Sequence, residues 1–361
     1  MPKTKSPKKK SRTVLITGGA GFIGSNTLIY LFEKYPHYHF IVLDSLTYAG
    51  DVRSIPQEIY QSKNFRFFYG DVRSHKLIDD LVGVSDIVVH FAAETHVARS
   101  IYDDTTFFET DILGTQNIIR AVVKNRKRIE RFIHFSTSEV YGTALADKMD
   151  ENHPLNPQSP YAAAKAGADR LVYAYFATYH IPAVSIRSFN VFGPRQHLEK
   201  AIPRFISAMI LGEPITIHGT GDSERDFIYV TDVARAVDLV MHAPAEKVVG
   251  EVFNIGTGKS VAIKDLAAMV VQNMQDDADG KSKTKFSSYA YNIGDRPGQV
   301  FRHTADVRKI AKTLKWKPLV SFEDGLRKTI AWYQENTDWW KNKLWMRHVE
   351  IETESGKKEL H

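Results

Sequence analysis

The stretch Gly18-Gly19-Ala20-Gly21-Phe22-Ile23-Gly24 constrains this chain more than any other. It follows the apolar run Val14-Leu15-Ile16-Thr17 directly and opens a segment, 21–34, with apolar residues at helical spacing. A strand, a glycine-rich turn and a helix, in that order, form the first unit of a parallel α/β sheet. Glycines there permit a tight turn and let backbone amides approach a pyrophosphate at the positive end of the helix. The same turn also occurs without a ligand, so the flanking residues decide. Asp44 closes a second apolar run, 40–44, twenty residues beyond Gly24. A carboxylate at that spacing reaches the diol of an adenosine ribose.

A negative charge at Asp44 repels a 2′-phosphate, so the pattern favours NAD over NADP. Asp71 follows Tyr69-Gly70 at the end of a third run, placed to reach the adenine. Further strands are predicted at 65–70, 87–92, 131–137 and 183–187, with helices over 107–123 and 161–179. Strands alternating with helices imply a sheet covered on both faces. The fold class is therefore α/β, a Rossmann-like doubly wound parallel sheet with a smaller C-terminal substrate-binding lobe. The pattern changes after Phe192-Gly193-Pro194. We read 13–190, with a returning segment at about 226–257, as the NAD-binding part. Residues 191–225 and 258–345 form the lobe, and a lysine- and serine-rich stretch near 276–285 is a surface loop. Residues 1–12 read as a disordered basic tail and 346–361 as a frayed polar one.

Composition narrows the class. With 361 residues, 43% of them hydrophobic, the chain can bury a large core. It has no run of eighteen apolar residues, so no membrane span is expected, and its basic start is too short and glycine-rich for a signal peptide. It has no cysteine, which excludes disulfides and thiolate metal sites. No metal is expected, and a cytoplasmic enzyme fits. The net charge of +6 hints at nucleic acid, but Lys3, Lys5, Lys8, Lys9, Lys10 and Arg12 carry six positive charges with no acid among them. The body is near neutral. No base-stacking module accompanies the tail, so no nucleic-acid partner is expected.

Tyr161 and Lys165 stand four residues apart on an alanine-rich helical segment and share a face. An ammonium beside a phenol favours the phenolate, which suits Tyr161 to accept a hydroxyl proton. Ser136-Thr137-Ser138-Glu139 ends the fifth strand, and ligands bind at the carboxyl ends of strands in such sheets. Thr137 is placed to hydrogen-bond the reacting oxygen, and Glu139 to exchange a carbon-bound proton.

With these residues assembled, the chain resembles the extended short-chain dehydrogenase/reductases acting on nucleotide sugars, and most closely the dTDP-glucose 4,6-dehydratase family. The resemblance runs from about Val14 to Trp340. It is carried by the glycine turn, Leu46-Thr47-Tyr48-Ala49-Gly50, His90-Phe91-Ala92-Ala93-Glu94-Thr95-His96-Val97, residues 136–142 and Ser159-Pro160-Tyr161. Asn190-Val191-Phe192-Gly193-Pro194, Arg225-Asp226-Phe227 and Asp295-Arg296-Pro297-Gly298 complete it. It implies NAD held by Gly18, Gly21, Phe22, Ile23, Gly24, Asp44, Leu46, Thr47, Gly50, Asp71, Val72, Phe91, Ala92, Ala93, Tyr161 and Lys165. It also implies a cycle in which Tyr161 takes the C4 hydroxyl proton as C4 is oxidised, Glu139 takes the C5 proton, water leaves from C6, and hydride returns to C6. The product would be a 4-keto-6-deoxy sugar nucleotide, made by a homodimer.

The family has an aspartate, the usual acid for the departing C6 hydroxyl, where this chain has Ser138. A serine cannot be an equivalent proton donor, so another group, with Glu139 itself the candidate, must supply the proton. Thr-Ser-Glu also occurs in GDP-mannose dehydratases and UDP-glucuronate decarboxylases, so a decarboxylase or a 4-epimerase stays open beside the dehydratase. For the substrate diphosphate the resemblance implies Asn190, Arg225 and Arg296, with Lys200 or Arg204 nearby. Arginine binds such oxygens bidentately. The alternative reading of Arg225-Asp226 and Asp295-Arg296 is a pair of local ion pairs on a surface loop. His96 is either near the sugar or a hydrogen-bonded core histidine. Trp332, Tyr333, Trp339 and Trp340 read as packing, and Phe107-Phe108 as core or dimer interface.

Overall fold

A computed structural model describes residues 10–276, 289–295, 298–352, 356 and 358–360. Six strands come first in the chain: β1 Thr13–Thr17, β2 His39–Asp44, β3 Phe65–Tyr69, β4 Ile87–His90, β5 Arg131–Thr137 and β6 Ala183–Ser188. With Val252–Ile255 they form one seven-stranded sheet, in the spatial order Val252–Ile255, β6, β5, β4, β1, β2, β3. Every pairing is parallel. The order reverses between β1 and β4, which opens a crevice at their carboxyl ends. β1, β4, β5 and β6 are buried along almost their whole length, as a sheet covered on both faces requires.

The helices start where their sequence allows. Gly21 caps the first helix, Phe22–Lys34, without a side-chain hydrogen bond. Ser159 accepts the Ala162 amide at 3.2 Å and Pro160 takes the first position of the long helix Pro160–Tyr179. That proline gives up only an amide that has no helical partner there. His180, in left-handed conformation, ends it. The predicted helix 107–123 is interrupted. Thr105–Phe107 leads into a π-helical segment, Phe108–Gly114, before α-helix resumes at Thr115–Lys124. Such bulges gather at functional sites, and this one carries the buried Asp111.

Three of the five apolar clusters among the described residues are large. Two sandwich the sheet. The third joins the helices Ala201–Leu211, Ile263–Asp276 and Phe322–Glu335 to the strand Ile215–His218, and ends on Trp339 and Trp340. Tyr333 and Trp340 are fully buried in it. Ile310 and Trp316 pack instead with the sheet, where Trp316 donates to Asp232 O at 3.1 Å.

The described residues of the two tails are held in ways the sequence did not suggest. Arg12 donates to Glu130 at 2.7 Å and to the Tyr38 hydroxyl at 2.7 Å, and Lys10 pairs with the same carboxylate. Two of the six tail cations are thus fixed to the body, because β1 begins one residue later. At the other end Glu350–Glu352 and Lys358–Leu360 pair as an antiparallel hairpin rather than fraying. Most of the proposed loop at 276–285 lies outside the described residues. Among the described residues, no helix is long and apolar enough to cross a membrane.

Candidate active site

The crevice above the sheet is a cleft of about 450 Å³ that runs from the glycine turn to the second lobe. Its first end is lined by Gly18, Gly21, Phe22, Ile23, Gly24, Asp44, Thr47, Gly50, Asp71, Val72, Phe91, Ala92 and Ala93. Gly18 has φ +70°, and a Cβ there would lie 2.6 Å from Ala92 N. A Cβ on Gly24 would meet Gly18 O at 2.2 Å. Only glycine therefore lets the turn, the helix start and β4 approach so closely. Asp44 is buried and accepts the Ala20 amide at 2.9 Å and the Leu46 amide at 2.8 Å. Burial raises its pKa and these amides work against that. Leu46 does not reach the cleft wall. At φ +49° it serves Asp44 through its backbone. Asp71 pairs with Arg73 at 2.8 Å at the rim. A bare glycine backbone, a helix start with no side-chain cap and a fixed carboxylate fit the pyrophosphate and ribose of a dinucleotide.

Thr137, Ser138, Glu139, Tyr161 and Lys165 line the middle of the same cleft. β5 delivers the first three at its carboxyl end and the long helix delivers the other two. The Thr137 hydroxyl hydrogen-bonds Tyr161 and accepts the Glu139 amide at 3.2 Å. Lys165 Nζ donates to Phe135 O at 2.9 Å. The expected drop in the phenol pKa is not what the surroundings produce. Burial, then the charges of Asp111 and Glu139, push Tyr161 well above its ordinary value. Burial also pulls Lys165 down, against Asp111 and Asp169. The reason is spacing without charge balance. The shared helix face is real, but two carboxylates from other elements face the phenol too.

At the far end stand His96, Asn190, Lys200, Arg204 and Arg225. Lys200 donates to Thr95 O at 2.7 Å and pairs with Glu199 at 3.0 Å. Arg204 lies 3.2 Å from His218 Nε2. Arg225 donates to Glu224 O at 2.9 Å, whereas Asp226 turns away to Thr257, Gly258 and Ala305. Arg225-Asp226 is therefore a buried pair of opposed roles, not a surface ion pair. Arg296 lies outside the described residues. His96 caps the helix Val97–Tyr102 and its Nε2 stands 3.5 Å from Glu199.

Glu199 is the residue that sequence reasoning missed here. Burial pushes its carboxyl up, but Lys200, His96 and His197 outweigh this and hold it at about 2. The run His197-Leu198-Glu199-Lys200 was the available signal, a cluster of chemically active side chains just after Pro194. Asn190 Oδ1 and His197 Nε2 are buried here without a hydrogen-bond partner, an arrangement suited to a polar ligand.

A parallel sheet with a glycine turn on β1 and a Thr/Tyr/Lys set across the crevice defines a nucleotide-binding short-chain dehydrogenase/reductase fold. Comparison with known proteins narrows this. Residues 15–329 match the family model for GDP-mannose 4,6 dehydratase. The dTDP-D-glucose 4,6-dehydratase of Bos taurus is 38% identical over 93% of this chain and 92% of its own. The crystal structure of a dTDP-glucose 4,6-dehydratase from Streptomyces venezuelae with NAD bound superposes with a TM-score of 0.84. It is 37% identical and covers 92% of this chain and 99% of that one. A UDP-glucose 4-epimerase from Thermotoga maritima is also similar, at 29% identity and a TM-score of 0.79 over 90% and 99% of the two chains. The chain belongs to the nucleotide-sugar 4,6-dehydratase family and is an enzyme of the lyase class.

Proposed function

We propose that this chain is an NAD-dependent nucleotide-sugar 4,6-dehydratase that converts dTDP-glucose to its 4-keto-6-deoxy derivative. One observation carries the reading: Thr137, Glu139, Tyr161 and Lys165 converge on one cleft beside the glycine turn. An epimerase needs the Thr/Tyr/Lys oxidation set alone. A carboxylate facing the same space adds a base for C5–H, which elimination requires.

Bound NAD would supply the acceptor for the hydride leaving C4 and the donor of the hydride that C6 receives. Gly18, Gly21 and the amides of Phe22 and Ile23 would hold its pyrophosphate, and Asp44 its ribose. Thr137 orients the C4 hydroxyl by its hydrogen bond, and Tyr161 takes the proton. Glu139 takes the C5 proton. Asn190, Lys200, Arg204 and Arg225 hold the diphosphate, with Arg296 as a further proposed contact. His96 and Glu199 face the sugar. The test is incubation with dTDP-, UDP- and GDP-hexoses. Alkali-induced absorbance of a 4-keto product marks dehydration, whereas an epimeric sugar, or carbon dioxide from a uronate, replaces this reading.

The enzyme acts as a homodimer with a two-fold, isologous contact. Phe108, Leu113, Tyr173 and Tyr179 support this. They are large, exposed and carried on the two helical segments at 105–124 and 160–179. A monomeric mass in solution scattering at micromolar concentration removes it. We place the enzyme in the cytoplasm, a compartment consistent with a chain without cysteine. Cell fractionation checks that placement.

A further inference from the structure

Ser138 stands where the family has an acid, and the structure puts an imidazole behind it. Ser138 Oγ lies 3.2 Å from His303 Nδ1. The other ring nitrogen, Nε2, lies 2.7 Å from Gly142 O. A carbonyl only accepts, so Nε2 carries a proton in every charge state and Nδ1 is the nitrogen that titrates. It faces the serine. Glu139 Oε1 is 3.9 Å from the same Nδ1. His303 is fully buried and does not line the cleft, whereas Ser138 and Glu139 do. The imidazole can reach a substrate only through the serine hydroxyl.

Its placement is tertiary. His303 lies on the short strand Arg302–His303, which pairs with Glu224–Arg225, and its carbonyl accepts the Asp226 amide at 2.9 Å. Phe189 packs edge-on against the ring, at 6.3 Å between centroids. The charged and titratable groups facing it are Glu139, Arg225 and His153. Burial pulls the imidazole below its ordinary pKa and the Glu139 carboxylate offsets this. Burial thus disfavours a proton on Nδ1 and makes it quick to leave, and the Glu139 carboxylate is the neighbour that favours its uptake.

We propose that His303 is a positioning residue that acts through Ser138, supplying the proton on which the C6 hydroxyl departs. This rests on the dehydratase reading. In the elimination the C5–H bond breaks, its proton goes to Glu139, and its electron pair becomes the C5–C6 double bond. The C6–O bond breaks with its pair, and the departing oxygen takes the Ser138 Oγ proton. Ser138 takes a proton from Nδ1 of the His303 imidazolium. C6 then receives the hydride that left C4, which forms the new C6–H bond, and the C5–C6 π pair takes the proton back from Glu139 to form C5–H. The imidazole is recharged from solvent as Tyr161 releases the proton it gained during oxidation, so each group ends as it began.

The test uses the purified NAD-loaded enzyme and dTDP-glucose, reading reduced cofactor and 4-keto product separately. His303→Gln keeps an acceptor for Ser138 and a donor for Gly142 O but cannot carry a proton. It should still reduce NAD with substrate, while product formation falls about a hundredfold. Ser138→Ala should match it, and the double variant should be no worse, since both cut one relay. Ser138→Asp in the His303→Gln background restores the donor locally and should recover most of the loss. His303→Gln turning over at the parent rate overturns the relay. So does a double loss equal to the two single losses combined, or a failure of the aspartate to rescue a variant whose melting point matches the parent. A parent that makes no 4-keto product from any nucleotide hexose removes the dehydratase reading and the relay together.

Discussion

The two ends of the cleft are built in different ways. The cofactor end is made mostly of backbone close to β1 and β2: a seven-residue glycine turn, a helix start and one carboxylate held by two amides. The substrate end is made of side chains from distant segments. Glu199, His96, Tyr48 and the half-exposed Lys200 meet in one cluster, and His303 reaches Ser138 across 165 positions. The first end is fixed by local geometry and steric necessity. The second depends on charge balance among groups that the chain brings together only when folded. Substitutions should therefore act differently at the two ends, and four of them test that contrast.

The largest effect is expected midway, where both ends meet. Tyr161→Phe removes the phenol that accepts the C4 proton, and turnover should fall by about a hundredfold to ten-thousandfold. No reduced cofactor should appear with substrate. Appearance of NADH at the parent rate would assign that proton to another group. Next comes Glu139→Gln, which leaves oxidation intact and should lower C5–H exchange with deuterated solvent by about a hundredfold. If NADH formation collapses equally, the two half-reactions share one group and elimination has no base of its own.

Asp44→Ala acts only at the cofactor end. It removes the acceptor of two loop amides as well as the proposed ribose partner. NAD binding measured by titration should weaken about tenfold, with less discrimination against NADP, a loss ordinary for one charge-assisted contact. Unchanged affinity would show that the loop, not the carboxylate, holds the ribose.

The smallest effect is a displacement in pH. Asp111 is buried on the π-helical segment, accepts the Glu94 amide at 2.8 Å, and has its own pKa pushed up to about 7 by burial. Its negative charge disfavours the Tyr161 phenolate. Asp111→Asn removes that charge, so the phenol should ionise more readily and the acid limb of the pH–rate profile should move down by about one unit. A limb that stays in place would show that Asp111 is neutral in the working enzyme.

Features set by local sterics and by periodicity were legible in the sequence. Gly18 and Gly24 had to be glycine because any Cβ collides with backbone, and that necessity is legible as a motif. Asp44 and the Tyr161/Lys165 pair could be read because strand ends and helix turns fix their spacing. The central strands before residue 190 could be read because a sheet buried on both faces leaves largely apolar runs, and the edge strand Phe65–Tyr69, mostly exposed, could be read from its aromatic residues. Other features exist only in the folded chain. Folding put Glu199 between two histidines and a lysine, turned Asp226 away from Arg225, and broke the helix at Phe108–Gly114. It set Asp111 and Glu139 against the Tyr161 phenolate, and placed His303 behind Ser138. No local pattern announces these, because charge and hydrogen bonding act through space, and partners far apart in the chain meet only once the strands have paired.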